Sequence, residues 1–238
     1  MKKTFLLFAS VTLLCATAVQ ASVVIGGTRF IYQQDQPSIS FRVLNQESLN
    51  YLVVTKVQPD DGTRTVGTTT LIPAVKTVPF IANPPLFVVK ANKEGMVRIM
   101  KTGGDDLPRD RESLFWLSIA SIPESAGKPG ENQLQVAVRA HMKLIYRPDG
   151  LKGKPDTAYS QLKWSRKASE VSVTNPTPWY VTLVHLQSNG QEMPEPGMVA
   201  PFSTRVQPWC PEKGNCQLQW QTLNDYGALM PPLRITVN

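Results

Sequence analysis

Residues 133–148, QLQVAVRAHMKLIYRP, alternate between apolar and polar side chains over an unusually long run. The even positions carry the apolar or small residues Leu134, Val136, Val138, Ala140, Met142, Leu144 and Tyr146. A period of two predicts a β-strand, yet strands are usually about five or six residues long. A long alternating strand promotes aggregation unless another element covers it or it serves to pair with another chain.

Most of the remaining chain shows the same pattern in shorter pieces. Several runs alternate or are rich in β-branched residues, bounded by Gly, Pro, Asn or Asp: 39–43, 51–58, 85–90, 96–100, 114–122, 171–186, 216–223 and 233–237. No stretch keeps the apolar period of a helix over three turns. Short strands, frequent turns and 20 prolines are typical of β-sandwiches, so the sequence predicts an all-β fold.

The first 21 residues have the composition of a secretory signal peptide. Lys2 and Lys3 precede an apolar run, and Val19-Gln20-Ala21 provides the small residues of a cleavage site. We therefore expect cleavage after Ala21 and an exported chain, and no later stretch approaches the 18 apolar residues of a membrane span. The net charge of +7 suits acidic partners or carboxylates, whereas export argues against nucleic acid.

A stretch rich in Pro, Gly and Lys divides the strand patterns into two groups. It begins at Pro148-Asp149-Gly150 and continues as LKGKPD before strand patterns resume. Domain boundaries fall in such polar segments. We therefore predict a first domain over 22–147, a linker over 148–153 and a second domain over 154–238.

Two cysteines follow the signal, Cys210 and Cys216, in the sequence WCPEKGNC. In an oxidising compartment such a close pair predicts a disulfide that closes a turn. A zinc site would need two more sulfur or imidazole ligands nearby, and His141 and His185 are the only histidines. We therefore predict a structural disulfide and no metal site.

The sequence offers no constellation typical of an enzyme or a cofactor site. A Ser-His-Asp hydrolase holds a histidine between a nucleophile and a carboxylate, yet His141 and His185 lie in alternating strands without a nucleophile elbow nearby. The acidic pair Asp105-Asp106 has the surroundings of a turn, GGDDLP. Neither G-x-x-x-x-G-K-[ST] nor G-x-G-x-x-G occurs. We expect no enzymatic activity and no cofactor.

Five stretches, in order along the chain, together resemble the PapD-like family of periplasmic chaperones for pilus assembly. They are GTRFIY (27–32), LPRDRESLFWL (107–117), MKLIYRP (142–148), NPTPWYVT (175–182) and NDYG (224–227). The resemblance implies a periplasmic protein with two immunoglobulin-like β-sandwich domains, set at an angle with a cleft between them. The segment between Pro123 and Leu134 is short and lacks cysteine, as in members that serve rod-like pili with adhesive tips.

Members of this family bind pilus subunits whose own sandwich lacks its last strand. The resemblance implies that this chain lends a strand of its first domain to the subunit, by donor-strand complementation, and delivers it to an outer-membrane usher. The expected partners are pilins, an adhesin and the usher, and a homodimer that caps the lending strand is left open. The competing interpretation, an adhesin or pilus subunit, would need an N-terminal donor extension, but only SVVIGG precedes the TRFIY stretch after the signal.

The resemblance assigns a carboxylate anchor to Arg29 of GTRFIY and Lys143 of MKLIYRP. In the family these cations hold the C-terminal carboxylate of the subunit. Charge-assisted hydrogen bonds contribute about 1.5–3 kcal/mol each, and fixing the carboxylate would also fix the register of the lent strand. From composition alone, both residues would be ordinary solvated cations.

The apolar residues ahead of that lysine are assigned by the resemblance to the groove of the subunit: Leu134, Val136 and Val138. The alternative is that they face the core of their own sandwich. Lys143 has the opposite parity to these residues, so a flat strand would direct it to the other face. The sequence leaves open whether twist, a bulge or separation along the strand accounts for this.

A third set assigned by the resemblance is an ion network between the two domains: Glu112 of DRESLF, Arg147 of YRP and Asp225 of NDYG. We expect these groups to set the interdomain angle. Removing one partner of a desolvated network costs several kcal/mol, although replacing all of it can cost little. The family also has a Pro-Pro pair, often with a cis bond, where this chain has Asn83-Pro84-Pro85.

Overall fold

A computed structural model describes residues 23–60, 77–104, 106–125 and 135–238. The predicted signal peptide, its cleavage site after Ala21 and the predicted groove residue Leu134 lie outside the described residues. Strands dominate within them, and the helical elements are α1 (Pro155–Ala158) and a 3-10 turn (Tyr159–Gln161). Over the described ranges no helix has the length and apolar character to cross a membrane.

The first part of the chain folds into two sheets. Its strands are β1 (Val23–Ile25), β2 (Arg29–Gln33), β3 (Ser38–Asn45), β4 (Tyr51–Pro59), β5 (Phe80–Asn83), β6 (Leu86–Val89), β7 (Glu94–Lys101), β8 (Ser113–Pro123) and β9 (Val138–Arg147). One sheet has the order β1-β3-β7-β5 and the other β2-β9-β8-β4-β6. The β2–β9 pair is parallel, whereas β8 pairs antiparallel with both β9 and β4.

The core of this sandwich comes from alternating residues of both sheets. In β4, Tyr51, Val53 and Val57 are buried and Leu52 and Lys56 are exposed, as period-two patterning requires. The buried cluster also contains Phe41, Val43, Val97 and Ile99 from the first sheet and Phe115, Leu117, Leu144 and Tyr146 from the second. Asn83 and Pro84 are joined by a cis peptide bond.

The second part of the chain forms another pair of sheets. Its strands are β10 (Lys163–Lys167), β11 (Glu170–Asn175), β12 (Val181–Ser188), β13 (Gln191–Glu192), β14 (Met198–Val199), β15 (Ser203–Gln207), β16 (Cys216–Leu223) and β17 (Leu233–Val237). One sheet has the order β10-β11-β15. The other has the order β13-β12-β16-β17, with β14 also paired to β12.

The second core contains the predicted disulfide. Cys210 and Cys216 are bonded to each other and both are buried among the apolar residues of this sandwich. Their neighbours in the cluster include Leu183, Leu186, Leu218 and Trp220. The disulfide prediction is confirmed.

A buried asparagine performs the same task in each sandwich. The Nδ2 group of Asn45 donates to the carbonyl oxygens of Leu49, Val89 and Lys90. The Nδ2 group of Asn175 donates in the same way to Trp179, Val199 and Ala200. In both cases the side-chain oxygen accepts the backbone N–H two residues later. Each sandwich therefore uses one buried asparagine in the same way, to donate hydrogen bonds to backbone carbonyl oxygens.

Together these features define two immunoglobulin-like β-sandwich domains, as predicted. The strand at residues 133–148 differs from the expectation in its start, because β9 begins at Val138 and residues 135–137 are not in a strand. The neighbouring strand explains this, since the β8–β9 ladder starts at the Ser121–Val138 pair and β8 ends at Pro123. A proline has no N–H to continue a ladder.

Candidate functional site

The residues of β9 alternate between two environments. Those that face the core of the first domain are Met142, Leu144 and Tyr146. Lys143, Ile145 and Arg147 lie on the other face, where each meets residues of the second domain. The ladder with β8 runs without a register shift from Val138 to Tyr146. Lys143 is therefore directed towards the second domain by simple alternation.

The two exposed valines lie at the start of β9 and just before it: Val138 is its first residue and Val136 precedes it. Val138 has the parity of the core-facing residues, but its side chain is 55% exposed, and Val136 is 61% exposed. Large apolar side chains this exposed are typical of interaction sites when they cluster. Lys143 and the valines therefore have different surroundings because they lie at different positions along the chain. No bulge is needed to explain their opposite parity.

One edge of β9 is open over half its length. β2 pairs with β9 only from Lys143 to Arg147, while β8 covers the opposite edge from Val138 onward. Among the described strands, none pairs with residues 138–142 on the β2 side. Unpaired backbone groups on such an edge can accept a further strand.

Arg29 and Lys143 stand at the end of this open edge. They are direct register partners in the parallel β2–β9 ladder. The guanidinium of Arg29 donates to the carbonyl oxygen of Leu223 at 3.4 Å and to the hydroxyl of Thr182 at 3.1 Å. Lys143 Nζ donates to the same Thr182 hydroxyl at 3.4 Å. Both cations therefore reach from the first domain to acceptors of the second.

These two cations are half-buried, and their hydrogen-bond partners among the described residues include no carboxylate. Burial, with a smaller effect of the adjacent Arg29, lowers the pKa of Lys143 to about 8. Burial also lowers the pKa of Arg29, although Asp225 and Glu112 oppose the shift. The Nε atom of Arg29 is buried and has no hydrogen-bond partner within the described ranges. A carboxylate placed beside the two cations would compensate their positive charges.

Arg147 has the opposite surroundings. Its guanidinium forms a bidentate pair with Asp225 at 2.7 and 2.9 Å and contacts Glu112 Oε1 at 2.7 Å. Glu112 is almost fully buried and accepts the backbone N–H of Tyr180 at 2.7 Å. The guanidinium also lies over the ring of Trp179 at 5.0 Å. The three residues assigned by the resemblance thus form one network that joins the two domains.

An apolar cluster lies beside this network, and sequence reasoning did not identify it. Leu114, Trp116 and Ile145 of the first domain are buried together with Met198 of the second. The sequence of β8, SLFWLSIASIP, carried the signal because it has apolar residues on both faces, and such a strand must be covered on both. Its residues Ser113–Ser121 are all buried in the structure. Met198 follows a turn and gave no comparable signal.

The site as a whole has the features of a binding surface. It combines an open strand edge, exposed valines and two closely placed cations. The described residues contain no group of three or more His, Cys, Asp or Glu side chains able to hold a metal ion. The arrangement can pair with an extended polypeptide and can hold a carboxylate at one end of it.

Comparison with family models covers both domains. Residues 22–152 match the model for the pili and flagellar-assembly chaperone PapD N-terminal domain. Residues 157–232 match the model for the pili assembly chaperone PapD C-terminal domain.

Full-length relatives carry the same description. The fimbrial chaperone YcbF of Escherichia coli K12 is 42% identical over 225 residues, which is 94% of this chain and 92% of YcbF. The chaperone protein FimC of the same strain is 36% identical over 236 residues, covering 97% and 92% of the two chains.

Solved structures of chaperones have the same fold. The Escherichia coli chaperone DraB superposes with a TM-score of 0.74 at 30% identity, covering 91% of this chain and 97% of DraB. A chain in the structure of the Salmonella enterica SafA pilin in complex with the SafB chaperone gives a TM-score of 0.77 at 30% identity, with 91% and 96% covered. The chain belongs to the PapD-like family of pilus-assembly chaperones.

Proposed function

We propose that this protein is a periplasmic chaperone that binds incomplete pilus subunits, lends them a β-strand and delivers them to an outer-membrane usher. The observation that supports this most directly is the half-open edge of β9, which ends at the Arg29–Lys143 pair. A strand that pairs along residues 138–142 would run towards two cations that can hold its terminal carboxylate. Strand addition and charge capture would thus act on one ligand.

Each group of site residues has its own part in this proposal. Arg29 and Lys143 hold the C-terminal carboxylate, and Leu134, Val136 and Val138 enter the groove of the subunit. Glu112, Arg147 and Asp225 fix the two domains relative to each other, so that the anchor and the open edge keep one geometry.

The relatives support the choice of partner. SafB is a chaperone solved in complex with the SafA pilin, and this chain resembles a chain of that complex over nearly its whole length. A chaperone of this kind makes and breaks no covalent bond, so we propose that the protein has no enzymatic activity. The signal-like segment at residues 1–21 and the disulfide fit an oxidising periplasm.

Co-expression tests the proposal. The mature protein would be produced together with the pilus subunits encoded beside its gene and purified from the periplasm through a tag. We expect a subunit to co-purify in a one-to-one complex, and Lys143→Ala to abolish it while leaving the thermal transition nearly unchanged. Absence of any subunit from the wild-type preparation would contradict the proposed function.

A further inference from the structure

Thr182 is placed to serve the site although it belongs to the second domain. In β12 it lies between Val181 and Leu183, which are both in the second core. Alternation directs the Thr182 side chain away from that core, where it is 5% exposed. Its hydroxyl meets Arg29 and Lys143 there.

The second domain provides two neighbouring hydrogen-bond acceptors for Arg29 and Lys143, the Thr182 hydroxyl and the Leu223 carbonyl. Thr182 and Leu223 are register partners in the β12–β16 ladder. Arg29 donates to the hydroxyl of the first and to the carbonyl of the second. Two strands of a rigid sheet therefore fix the position of one guanidinium, and the same hydroxyl also fixes Lys143.

These acceptors are neutral, unlike those that hold Arg147. Arg147 is paired with two carboxylates, so its charge is already compensated. A hydroxyl or a carbonyl orients a cation but leaves its full charge available to an anion. The geometry thus distinguishes an arginine that ties the domains together from two cations that stay available to a ligand.

The Thr182 hydroxyl also has one hydrogen to give. A hydroxyl group has two acceptor positions and one donor, and Arg29 and Lys143 occupy the acceptor positions. In both of its hydrogen bonds within the described ranges this hydroxyl is the acceptor. That hydrogen is available to an oxygen atom placed between the two cations.

We propose that Thr182 is the third member of the carboxylate anchor: it positions Arg29 and Lys143 and donates its hydroxyl hydrogen to the bound carboxylate. This inference rests on the proposed function, because it assigns a residue to the same site. It also means that the anchor is complete only when both domains contribute. The cations come from the first domain, and the groups that orient them come from the second.

The test compares two variants of the full mature chain with two probes. The variants are Thr182→Val, which keeps the shape and removes the hydroxyl, and Thr182→Ser, which keeps the hydroxyl. The probes are one synthetic peptide of alternating apolar and polar residues with a free C-terminal carboxylate, and the same peptide with a C-terminal amide. We expect Thr182→Val to weaken binding of the acid about tenfold and of the amide by less than about twofold, since one charge-assisted bond is lost. Thr182→Ser should bind the acid within about threefold of wild type.

The outcomes separate this inference from the proposed function. If wild type prefers the acid and Thr182→Val keeps the full preference, the anchor stands and the role of Thr182 is wrong. An equal loss for acid and amide would also contradict it, because that is the effect of a merely structural residue. Wild-type protein that binds neither peptide, or both equally, would overturn the anchor of Arg29 and Lys143 and this inference with it.

Discussion

Two positively charged residues in this protein are half-buried. Arg29 and Lys143 lie side by side in the β2–β9 ladder, and their bonded acceptors in the described part of the chain are neutral. Desolvation penalises both charged forms, and the buried Nε of Arg29 has no hydrogen-bond partner among the described residues. Half-buried cations that are bonded to neutral acceptors are more typical of functional sites than of stable cores.

The first prediction concerns the pH dependence of carboxylate binding. Burial and Arg29 lower the pKa of Lys143 to about 8, whereas a bound carboxylate would raise it again. Above about pH 8 the free protein must therefore take up a proton to bind, and affinity for a peptide acid should fall by up to about tenfold per pH unit. Fluorescence anisotropy titrations between about pH 7 and about pH 9.5 measure this.

The control for this prediction removes the titrating group. Lys143→Ala should bind the acid weakly and with little change across the same pH range. The amide peptide should likewise show a flat profile with wild-type protein. A slope that survives in Lys143→Ala would show that another group takes up the proton.

The sequence indicated Arg29 and Lys143 as site residues but not their burial or their hydrogen-bond partners in the second domain. Arg29 and Lys143 could be selected only because they stand in motifs of the family. Their burial depends on β12 and β16, which lie far along the chain. Thr182 stands in the quoted stretch NPTPWYVT, yet its role follows from the placement of its hydroxyl, which no local pattern encodes.

At the scale of elements, β9 is divided into two functional parts. From Lys143 to Tyr146 it is paired on both sides, and Lys143, Ile145 and Arg147 contact the second domain. From Val138 to Met142, β8 is its one partner among the strands that the structure describes, and Val138 is exposed. A native protein rarely leaves such an edge uncovered, so the open half is where we expect a subunit to bind.

The second prediction tests the exposed valines. Val136→Glu should weaken the complex with a pilus subunit by at least about tenfold, because the carboxylate would be buried without a partner in the groove. The thermal transition of the free protein should not change, since Val136 is exposed. Isothermal titration calorimetry with a purified subunit measures the affinity.

Ala137→Glu is the matched control. It introduces the same charge at the neighbouring exposed position, with opposite parity along the chain. We expect a much smaller loss of affinity for this variant. Equal effects at both positions would indicate general electrostatic repulsion and would argue that Val136 does not enter a groove.

Sequence patterns predicted the strands well but not their limits. The alternation of β4 and β16 matches their burial directly. The start of β9 was predicted too early because alternation continues to Leu134, whereas a strand needs a ladder partner and β8 ends at Pro123. The sequence also did not show which face of β9 carries Lys143. That depends on where the other sheet of the first domain stops covering β9, and no local pattern encodes this.

At the scale of the whole molecule, the two sandwiches are joined by polar and apolar contacts. Glu112, Arg147 and Asp225 form the ion network, and Met198 packs against three apolar residues of the first domain. Charge networks give geometric specificity rather than large net stability. The apolar cluster supplies burial that favours association of the domains.

The third prediction concerns stability and the buried carboxyl group of Glu112. Burial raises the pKa of Glu112 to about 7, although Arg147 and the Tyr180 N–H oppose the shift. A carboxyl whose pKa is higher in the folded than in the unfolded state contributes stability below its unfolded pKa, and this is lost as the pH rises through its folded pKa. The free energy of unfolding of wild type should therefore fall relative to Glu112→Gln between about pH 5 and about pH 8.

Urea unfolding of both proteins at each pH measures the difference. Glutamine has the size of glutamate and does not titrate, so Glu112→Gln serves as the reference for wild type at each pH. Parallel stability profiles for the two proteins would contradict the raised pKa of Glu112.

The equivalence of the two sandwiches was visible only in three dimensions. Asn45 and Asn175 make the same set of hydrogen bonds in the two domains. The segments around them, VLNQESLNY and VTNPTPWYV, share little beyond the asparagine. The buried carbonyl oxygens of such a loop need a hydrogen-bond donor, and one asparagine can supply it whatever the neighbouring residues are.

Hydrogen exchange can show whether β9 lends its open edge to a subunit. Backbone amides of residues 138–142 would be followed in the free protein and in its complex with a purified pilus subunit. Alternate amides, those that point away from β8, should exchange rapidly in the free protein and become strongly protected in the complex, because they gain strand partners. Unchanged exchange over residues 138–142 in a saturated complex would contradict the claim.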